Sequence, residues 1–156
     1  MKYSNSIFVK KVIVEDYLPL LIKSPEISTD ADYLLYRKED NSLLELVFDA
    51  TTHNVHKICL VICKEYEITS TEYTPPTDFV IGDVLVDTPD DIATEVFRCR
   101  IYTDAIQLKL SNQIAETTIV SKDIVWELDS KGDLISITAY NQSAEVINHA
   151  IKELYA

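Results

Sequence analysis

The sequence is poor in glycine and in basic residues. Only two of its 156 residues are glycine, whereas the phosphate-binding loops of nucleotide-binding enzymes need several glycines for the backbone to approach the phosphate. Lysine and arginine number 14 against 26 acidic residues, which gives a net charge of −12. Because proteins contact nucleic-acid phosphates and anionic lipids through lysine and arginine, this balance argues against nucleic acid and a membrane surface as direct partners.

Long apolar runs and a disulfide framework are also missing. No apolar run approaches the roughly 20 residues that a membrane-spanning helix needs. The N-terminal segment MKYSNSIFVKKVIVED lacks the apolar core and the small-residue cleavage site of a signal peptide. The three cysteines are an odd number and do not make the paired framework of a secreted protein. We therefore expect a cytoplasmic protein.

Motifs for catalysis are absent as well. The sequence contains neither GxSxG nor HExxH, and the spacing of its three histidines provides no base for a nucleophilic serine. Cys99 lies between Arg98 and Arg100, and neighbouring cations lower the pKa of a thiol. Alternation along a strand nevertheless sends both arginines to the face opposite Cys99. We expect no enzymatic activity and no cofactor.

The stretch from His53 to Cys63 is the part of the chain whose residue types most resemble those of a metal-binding site. It contains His53, His56, Cys59 and Cys63, which are residue types that bind zinc in tetrahedral sites. On a strand, residues two apart share a face, which places His56 on the side opposite the other three. Two opposite faces do not converge on one ion without a bulge, and both cysteines stand in an apolar run. We therefore interpret the cysteines as core residues and predict no metal site.

The segment Ile124–Tyr140 predicts a β-hairpin. Apolar side chains alternate along Ile124–Leu128, as is typical of a strand with one buried face. Asp129–Gly132 then supplies an aspartate for the first turn position and a glycine that can adopt positive φ. Leu134–Tyr140 returns as the second strand. We expect the single tryptophan, Trp126, to anchor the core and its indole N–H to have a hydrogen-bond partner.

A helix is predicted after the hairpin. Asn141 or Ser143 can cap its first turn, because each offers a side-chain oxygen to free backbone N–H groups. An apolar stripe follows at helical spacing and consists of Ile147, Ala150, Ile151 and Leu154. We expect this amphipathic helix to pack on one face of a sheet.

The remainder of the chain reads as short β-branched runs separated by turn residues, which is typical of an antiparallel meander. Tyr17–Lys23, interrupted by Pro19, predicts an edge strand or a turn of helix. Thr88–Asp91 predicts the start of a short helix, with threonine as cap and proline at the first position. The other predicted strands are Ile7–Val14, Tyr33–Arg37, Leu43–Asp49, His56–Lys64, Phe79–Val86, Val96–Tyr102, Ala105–Leu110 and Thr117–Val120. We predict one α+β domain, a mostly antiparallel sheet with the C-terminal helix on one face, and a possible seam near residues 69–77.

The acidic residues are unevenly distributed. From Glu65 to Phe97 there are nine acidic residues and no lysine, arginine or histidine. An acidic face keeps molecules apart in solution, and it also steers association with a cationic protein. Both interpretations stand at this point. The second predicts a partner-binding surface formed by Glu72, Tyr73, Asp83, Asp87, Asp90, Asp91 and Glu95.

Two resemblances follow from these features. Ala105–Val146, with its AIQLKL strand and DIVWELDSKGDLISITAYNQSAEV hairpin, resembles a small bacterial β-domain of unknown function, from which it departs at Ser136 and Thr138-Ala139. The whole chain, being small, acidic and free of catalytic motifs, is similar to immunity proteins of bacterial toxin systems, of the contact-dependent growth inhibition type. That resemblance implies a cognate basic toxin domain, such as a nuclease, as partner. The alternative is a small-molecule-binding or regulatory module with a pocket between sheet and helix.

Overall fold

The computed structural model describes residues 1–26 and 28–156. These residues form fifteen strands, which are arranged in three sheets, and one helix. In chain order the elements are β1 (Lys2–Ser4), β2 (Lys11–Ile13), β3 (Leu20–Lys23), β4 (Ala31–Arg37), β5 (Leu43–Asp49), β6 (Val55–Ile62), β7 (Glu65–Ile68), β8 (Val80–Ile81), β9 (Asp83–Leu85), β10 (Asp90–Ala93), β11 (Arg98–Ile101), β12 (Ile106–Lys109), β13 (Thr117–Ser121), β14 (Ile124–Leu128), β15 (Leu134–Ala139) and α1 (Ala144–Tyr155).

Two large sheets carry the fold. One has six strands in the order β10-β4-β5-β6-β3-β2, and the other has seven in the order β7-β11-β12-β15-β14-β13-β8. Neighbouring strands are antiparallel except in three pairs, which are β10–β4, β11–β7 and β13–β8. Each of these pairs lies at the edge of its sheet. The small third sheet pairs β1 with β9. The predicted α+β class is confirmed in this broad form, whereas the single sheet of the prediction was wrong, because the strands divide into three sheets.

The β14–β15 hairpin is confirmed in detail. The Asp129 carboxylate accepts hydrogen bonds from the backbone N–H groups of Lys131 at 2.9 Å and Asp133 at 3.0 Å. Gly132 adopts a φ of 80°, which a glycine tolerates without steric cost. The strand register shifts between Glu127 and Leu128, as expected for a bulged hairpin.

Both large sheets contribute to one core. Leu46 and Leu60 of the six-stranded sheet belong to the same buried cluster as Ile106 and Ile137 of the seven-stranded sheet. Trp126 also belongs to this cluster and is fully buried, so its predicted role as a core anchor is confirmed. The predicted partner for its indole N–H was wrong, because Nε1 has no hydrogen bond to any residue that the structure describes.

Helix α1 begins at the second of the two predicted caps. The Ser143 side chain accepts a hydrogen bond from the N–H of Val146 at 3.3 Å. Asn141 instead adopts a φ of 55° in the turn between β15 and the helix. The buried residues of the helix join the main core, and they are Ile147, Ala150 and Leu154.

Three sequence predictions need correction. The predicted helix at Thr88–Asp91 was wrong, because Asp90–Ala93 forms β10 and pairs in parallel with β4. No apolar stripe at helical spacing follows the cap-like residues, so no packed helix face offsets the free-energy cost of helix nucleation. The Tyr17–Lys23 segment is not an edge, since β3 lies between β6 and β2; Pro19 precedes the strand and removes none of its hydrogen bonds. In the Ile7–Val14 run, only Lys11–Ile13 forms a strand.

No helix in the described part of the chain is both long and apolar enough to cross a membrane.

Candidate functional site

The predicted contact residues do not form one surface. They separate into a buried position, a segment lying over the seven-stranded sheet, and the edge of the six-stranded sheet. The buried position is Asp83, which is 1% exposed. Its prediction as a surface contact was therefore wrong.

Asp83 is the acceptor at the centre of a buried polar cluster. Its Oδ2 atom lies 2.7 Å from the Lys10 ammonium, and it also accepts hydrogen bonds from the Ser121 hydroxyl at 2.9 Å and the Phe8 N–H at 3.0 Å. Burial lowers the pKa of Lys10, and the negative charge of Asp83 opposes that shift. The cluster ties the N-terminal segment to β9 and β13. Its role is structural, because both charges are satisfied within the protein.

Glu72 and Tyr73 belong to the crossing segment, residues 69–79, which joins β7 at one edge of the seven-stranded sheet to β8 at the other. The two edge strands are separated by six inter-strand spacings, a span of about 29 Å at roughly 4.8 Å per spacing. An extended chain covers about 3.3–3.6 Å per residue, so the segment is long enough to cross the sheet. This segment, which contains Pro75 and Pro76, therefore connects two strands of the same sheet.

Tyr73 holds the crossing segment against the sheet. Its N–H donates to the Asp104 carboxylate at 2.9 Å, and its ring packs 5.4 Å from that of Tyr102 and 5.9 Å from that of Tyr140. Burial raises the pKa of Tyr73. This half-buried side chain is thus engaged in packing, whereas its neighbour Glu72 is exposed.

The remaining predicted contacts lie together at the edge of the six-stranded sheet. We define the acidic edge as Asp87, Asp90, Asp91 and Glu95, all of which are exposed and lie on or beside β10. The Asp91 carboxylate faces the Arg37 guanidinium on β4 at 2.9 Å. Within the described residues, the other three form no ion pair. Strand β10 has a pairing partner on one side only, so its second row of backbone groups is available to another chain.

Other acidic residues of the Glu65–Phe97 stretch are neutralised by bases from elsewhere in the chain. Glu65 lies 3.5 Å from Lys38 and 4.0 Å from Arg98, and Glu67 forms an ion pair with Arg100. Of the nine acidic residues in this stretch, five form no ion pair within the described residues, and three of these five lie at the acidic edge.

A cleft of about 420 Å³ opens beside the acidic edge, between β10 and the turn of the β14–β15 hairpin. We call it the Tyr36 cleft; its polar and charged lining includes Tyr36, Thr94, Gln113, Asp129, Lys131 and Asp133. Tyr36 is 5% exposed, and its hydroxyl has no hydrogen bond to any residue that the structure describes. Burial, and after it the charges of Asp133 and Asp90, raise the pKa of this hydroxyl.

A second cleft, of about 320 Å³, lies on the outer face of the seven-stranded sheet at β7, β11 and β12. Arg98, Arg100 and Lys109 line it together with the two glutamates that pair with the arginines. Cys99 points away from these arginines into the core, as predicted, and is 2% exposed. A hydrogen bond with Cys63 and burial raise the pKa of Cys99.

The four potential metal ligands of the His53–Cys63 stretch are dispersed in the structure. Cys63 lies beyond the end of β6 and belongs to the main core cluster, whereas Cys59 is buried outside that cluster. The two cysteines therefore do not share a face, contrary to the alternation extrapolated from the sequence. The His56 ring packs against Phe8 at 4.7 Å. The described residues contain no group of three or more potential ligands placed to hold a metal ion.

A third cleft, of about 230 Å³, lies between β6 and α1, where the alternative interpretation predicted a pocket. Tyr17, Cys63, Lys64, Glu153 and Leu154 are among the residues that line it.

Tyr36 and Asp133 are the residues of the acidic-edge region that sequence reasoning missed. Tyr36 appeared only as part of a strand, and Asp133 lies 36 positions beyond the end of the acidic stretch at Phe97. Their proximity depends on how the two sheets stack, and no local pattern in the sequence reports that arrangement.

No protein-family model matches this chain, and no curated protein is significantly similar to it.

Proposed function

We propose that this protein is an immunity protein that binds and neutralises a cognate basic toxin domain. The observation that carries the proposal is the acidic edge, where Asp87, Asp90 and Glu95 are exposed and uncompensated by ion pairs within the described residues. A toxin that cleaves nucleic acid needs a basic cleft to hold phosphate. An acidic surface of complementary shape occludes such a cleft without chemistry, and the inhibitor consequently needs no catalytic groups of its own.

The geometry of the edge supports tight binding as well as electrostatic attraction. Charge accelerates the encounter between partners, while buried contacts slow their separation. Strand β10 offers free backbone groups for strand addition, and the adjoining Tyr36 cleft offers a recess. Glu72 and Tyr73 are not part of this surface, because they lie over the seven-stranded sheet.

The test is a binding titration against the protein encoded immediately upstream, at low and at moderate salt. We expect tight stoichiometric binding that weakens as salt rises, since exposed charges are screened within about 10 Å at 0.1 M ionic strength. Reversing two charges with Asp90→Lys and Asp91→Lys should weaken binding by at least tenfold, which corresponds to about 1.4 kcal/mol. The control is Asp16→Lys with Asp30→Lys, which makes the same charge change outside the acidic edge.

If binding is tight and changes neither with salt nor in the edge variants, the partner is confirmed. The interface then lies on an apolar surface and not on the acidic edge. Absence of binding at both salt concentrations would contradict the immunity function.

A small-molecule-binding or regulatory module is the second candidate, and the cleft between β6 and α1 favours it. It predicts a thermal shift with a metabolite, in the absence of any protein partner. The shift should disappear when Ala156→Trp fills the cleft and persist when the exposed Lys152 is replaced by alanine.

A further inference from the structure

The Tyr36 cleft combines three properties that point to a specific kind of occupant. It is adjacent to the acidic edge, two carboxylates line it, and it borders the hydroxyl of the otherwise buried Tyr36, which has no hydrogen-bond partner among the described residues. A phenolic hydroxyl both donates and accepts hydrogen bonds. The Tyr36 hydroxyl is therefore available to a ligand that enters the cleft.

The charges in and around the cleft favour a cation. Asp129 and Asp133 line it, Asp90 lies close enough to influence the Tyr36 hydroxyl, and Lys131 is the one basic side chain in the lining. The Asp129 carboxylate is partly occupied, because its Oδ1 atom accepts two hydrogen bonds of the hairpin turn. The exposed Asp133 carboxylate accepts no hydrogen bond from a described residue and is the principal free acceptor.

An arginine side chain fits this combination better than a lysine side chain. Its planar guanidinium carries five N–H donors, which can reach a carboxylate and a hydroxyl at once. An ammonium is a compact and more strongly hydrated charge, which loses more solvation on entering a narrow cleft. Arginine is also among the residues most enriched at the energetic centres of protein interfaces.

We infer that the Tyr36 cleft receives an arginine side chain of the basic partner protein. The guanidinium donates to the Asp133 carboxylate and to the Tyr36 hydroxyl. This inference rests on the proposed function and adds to it an anchoring contact beside the acidic edge. Lys131 must turn away from the cleft when the arginine enters, so removing Lys131 should strengthen binding.

The direct test uses Nα-acetyl-arginine amide as the probe, in an NMR titration of the whole protein. Saturable shifts are expected at residues 92–94, 110–113 and 129–134. The matched control probe is Nα-acetyl-citrulline amide, which has nearly the same shape without the charge. Asp133→Asn should weaken binding of the arginine probe about tenfold and Tyr36→Phe about threefold, as expected for losing a charged and a neutral hydrogen bond acceptor.

Matched protein controls are available on the same chain. Tyr33→Phe alters an exposed tyrosine of the same strand, β4, and Asp16→Asn removes an exposed carboxylate elsewhere; neither should change the affinity. Equal shifts with the citrulline probe, or shifts spread equally to Glu72, would overturn the inference. So would an affinity that Asp133→Asn and Tyr36→Phe both leave unchanged.

A titration with the upstream-encoded protein separates this inference from the proposed function. If Asp90→Lys with Asp91→Lys weakens that complex while Asp133→Asn and Tyr36→Phe leave it unchanged, the immunity function stands and the arginine anchor is wrong. If the arginine probe binds the cleft but the upstream-encoded protein does not bind at all, the cleft is a guanidinium-binding site and the immunity function is wrong.

Discussion

Asp49 shows how a single carboxylate organises a turn. Its side chain accepts hydrogen bonds from the N–H groups of Thr52 and Thr51, each at 2.8 Å, and from the Ser28 hydroxyl at 2.9 Å. The bond from Thr52 is the largest cause, followed by that from Ser28, and together these contacts lower the pKa of Asp49 to about 2 from 3.8. The ionised form is thus favoured in the folded state.

The predicted consequence is a loss of stability in acid. Because the folded pKa lies below the unfolded value, the contribution of Asp49 is fully present above about pH 4 and is lost as the pH falls towards 2. Asp49→Asn should lower the melting temperature at pH 6 and flatten its dependence on pH between 4 and 2. Melting curves across this range test the prediction. Parallel pH profiles for the variant and the parent would contradict it.

Gly82 is required for a close approach between two chain segments. A Cβ atom at this position would overlap the backbone carbonyl oxygen of Ser4, where β1 passes the β8–β9 junction. Since backbone atoms cannot move aside as a flexible side chain can, Gly82→Ala should destabilise the protein by about 1–3 kcal/mol. Urea denaturation measures this change in the free energy of unfolding.

A shortened chain provides the control for that substitution. In a protein that lacks residues 1–5, the clashing carbonyl is absent, and Gly82→Ala should then cost little. An equal cost in the full and shortened chains would show that the effect arises elsewhere.

At the scale of elements, the Lys10–Asp83 pair joins the N-terminal segment to β9 and, through Ser121, to β13. The side chains are 0% and 2% exposed, so removal of one partner leaves an uncompensated buried charge or donor. Asp83→Ala should therefore destabilise the protein by about 3–5 kcal/mol. The measurement is chemical denaturation of the parent and the variant.

The double variant Lys10→Met, Asp83→Leu is the matched comparison. Replacement of both charges by apolar groups removes the unpaired ammonium, and the double variant should be more stable than Asp83→Ala alone. A double variant that is as unstable as the single variant would indicate that the other hydrogen bonds to Asp83 dominate.

At the scale of the whole molecule, the net charge of −12 attracts any basic protein, wherever the interface lies. A charge reversal at either Glu72 or Asp90 should therefore reduce the association rate to a similar extent at low salt. Only a residue inside the interface should also change the dissociation rate. We expect Asp90→Lys to raise the dissociation rate and Glu72→Lys to leave that rate unchanged. Surface plasmon resonance at two salt concentrations measures both rates. The reverse pattern would place the interface on the crossing segment.

The elements that the sequence predicted best are those with strong local signals. The β14–β15 hairpin follows from alternation and from Asp129 and Gly132, and α1 follows from its cap and apolar stripe. The edge strand β10 could not be predicted, because its four residues carry a helix-start pattern and acquire their strand conformation only by pairing with β4. The same limit applies to the candidate site: the excess of acid was visible, but its division among three locations was not.

The sequence by itself determined the charge, the alternation that buries one face of most strands, and the local chemistry of turns and caps, because these depend on near neighbours along the chain. Only the tertiary structure decided which acidic residues remain exposed. Lys10 meets Asp83 from 73 residues away, and Arg37 meets Asp91 from 54. The Tyr36 cleft likewise arises where β4, β10 and the hairpin turn converge. Such contacts depend on how the sheets stack, and that stacking is selected by the summed burial of many side chains.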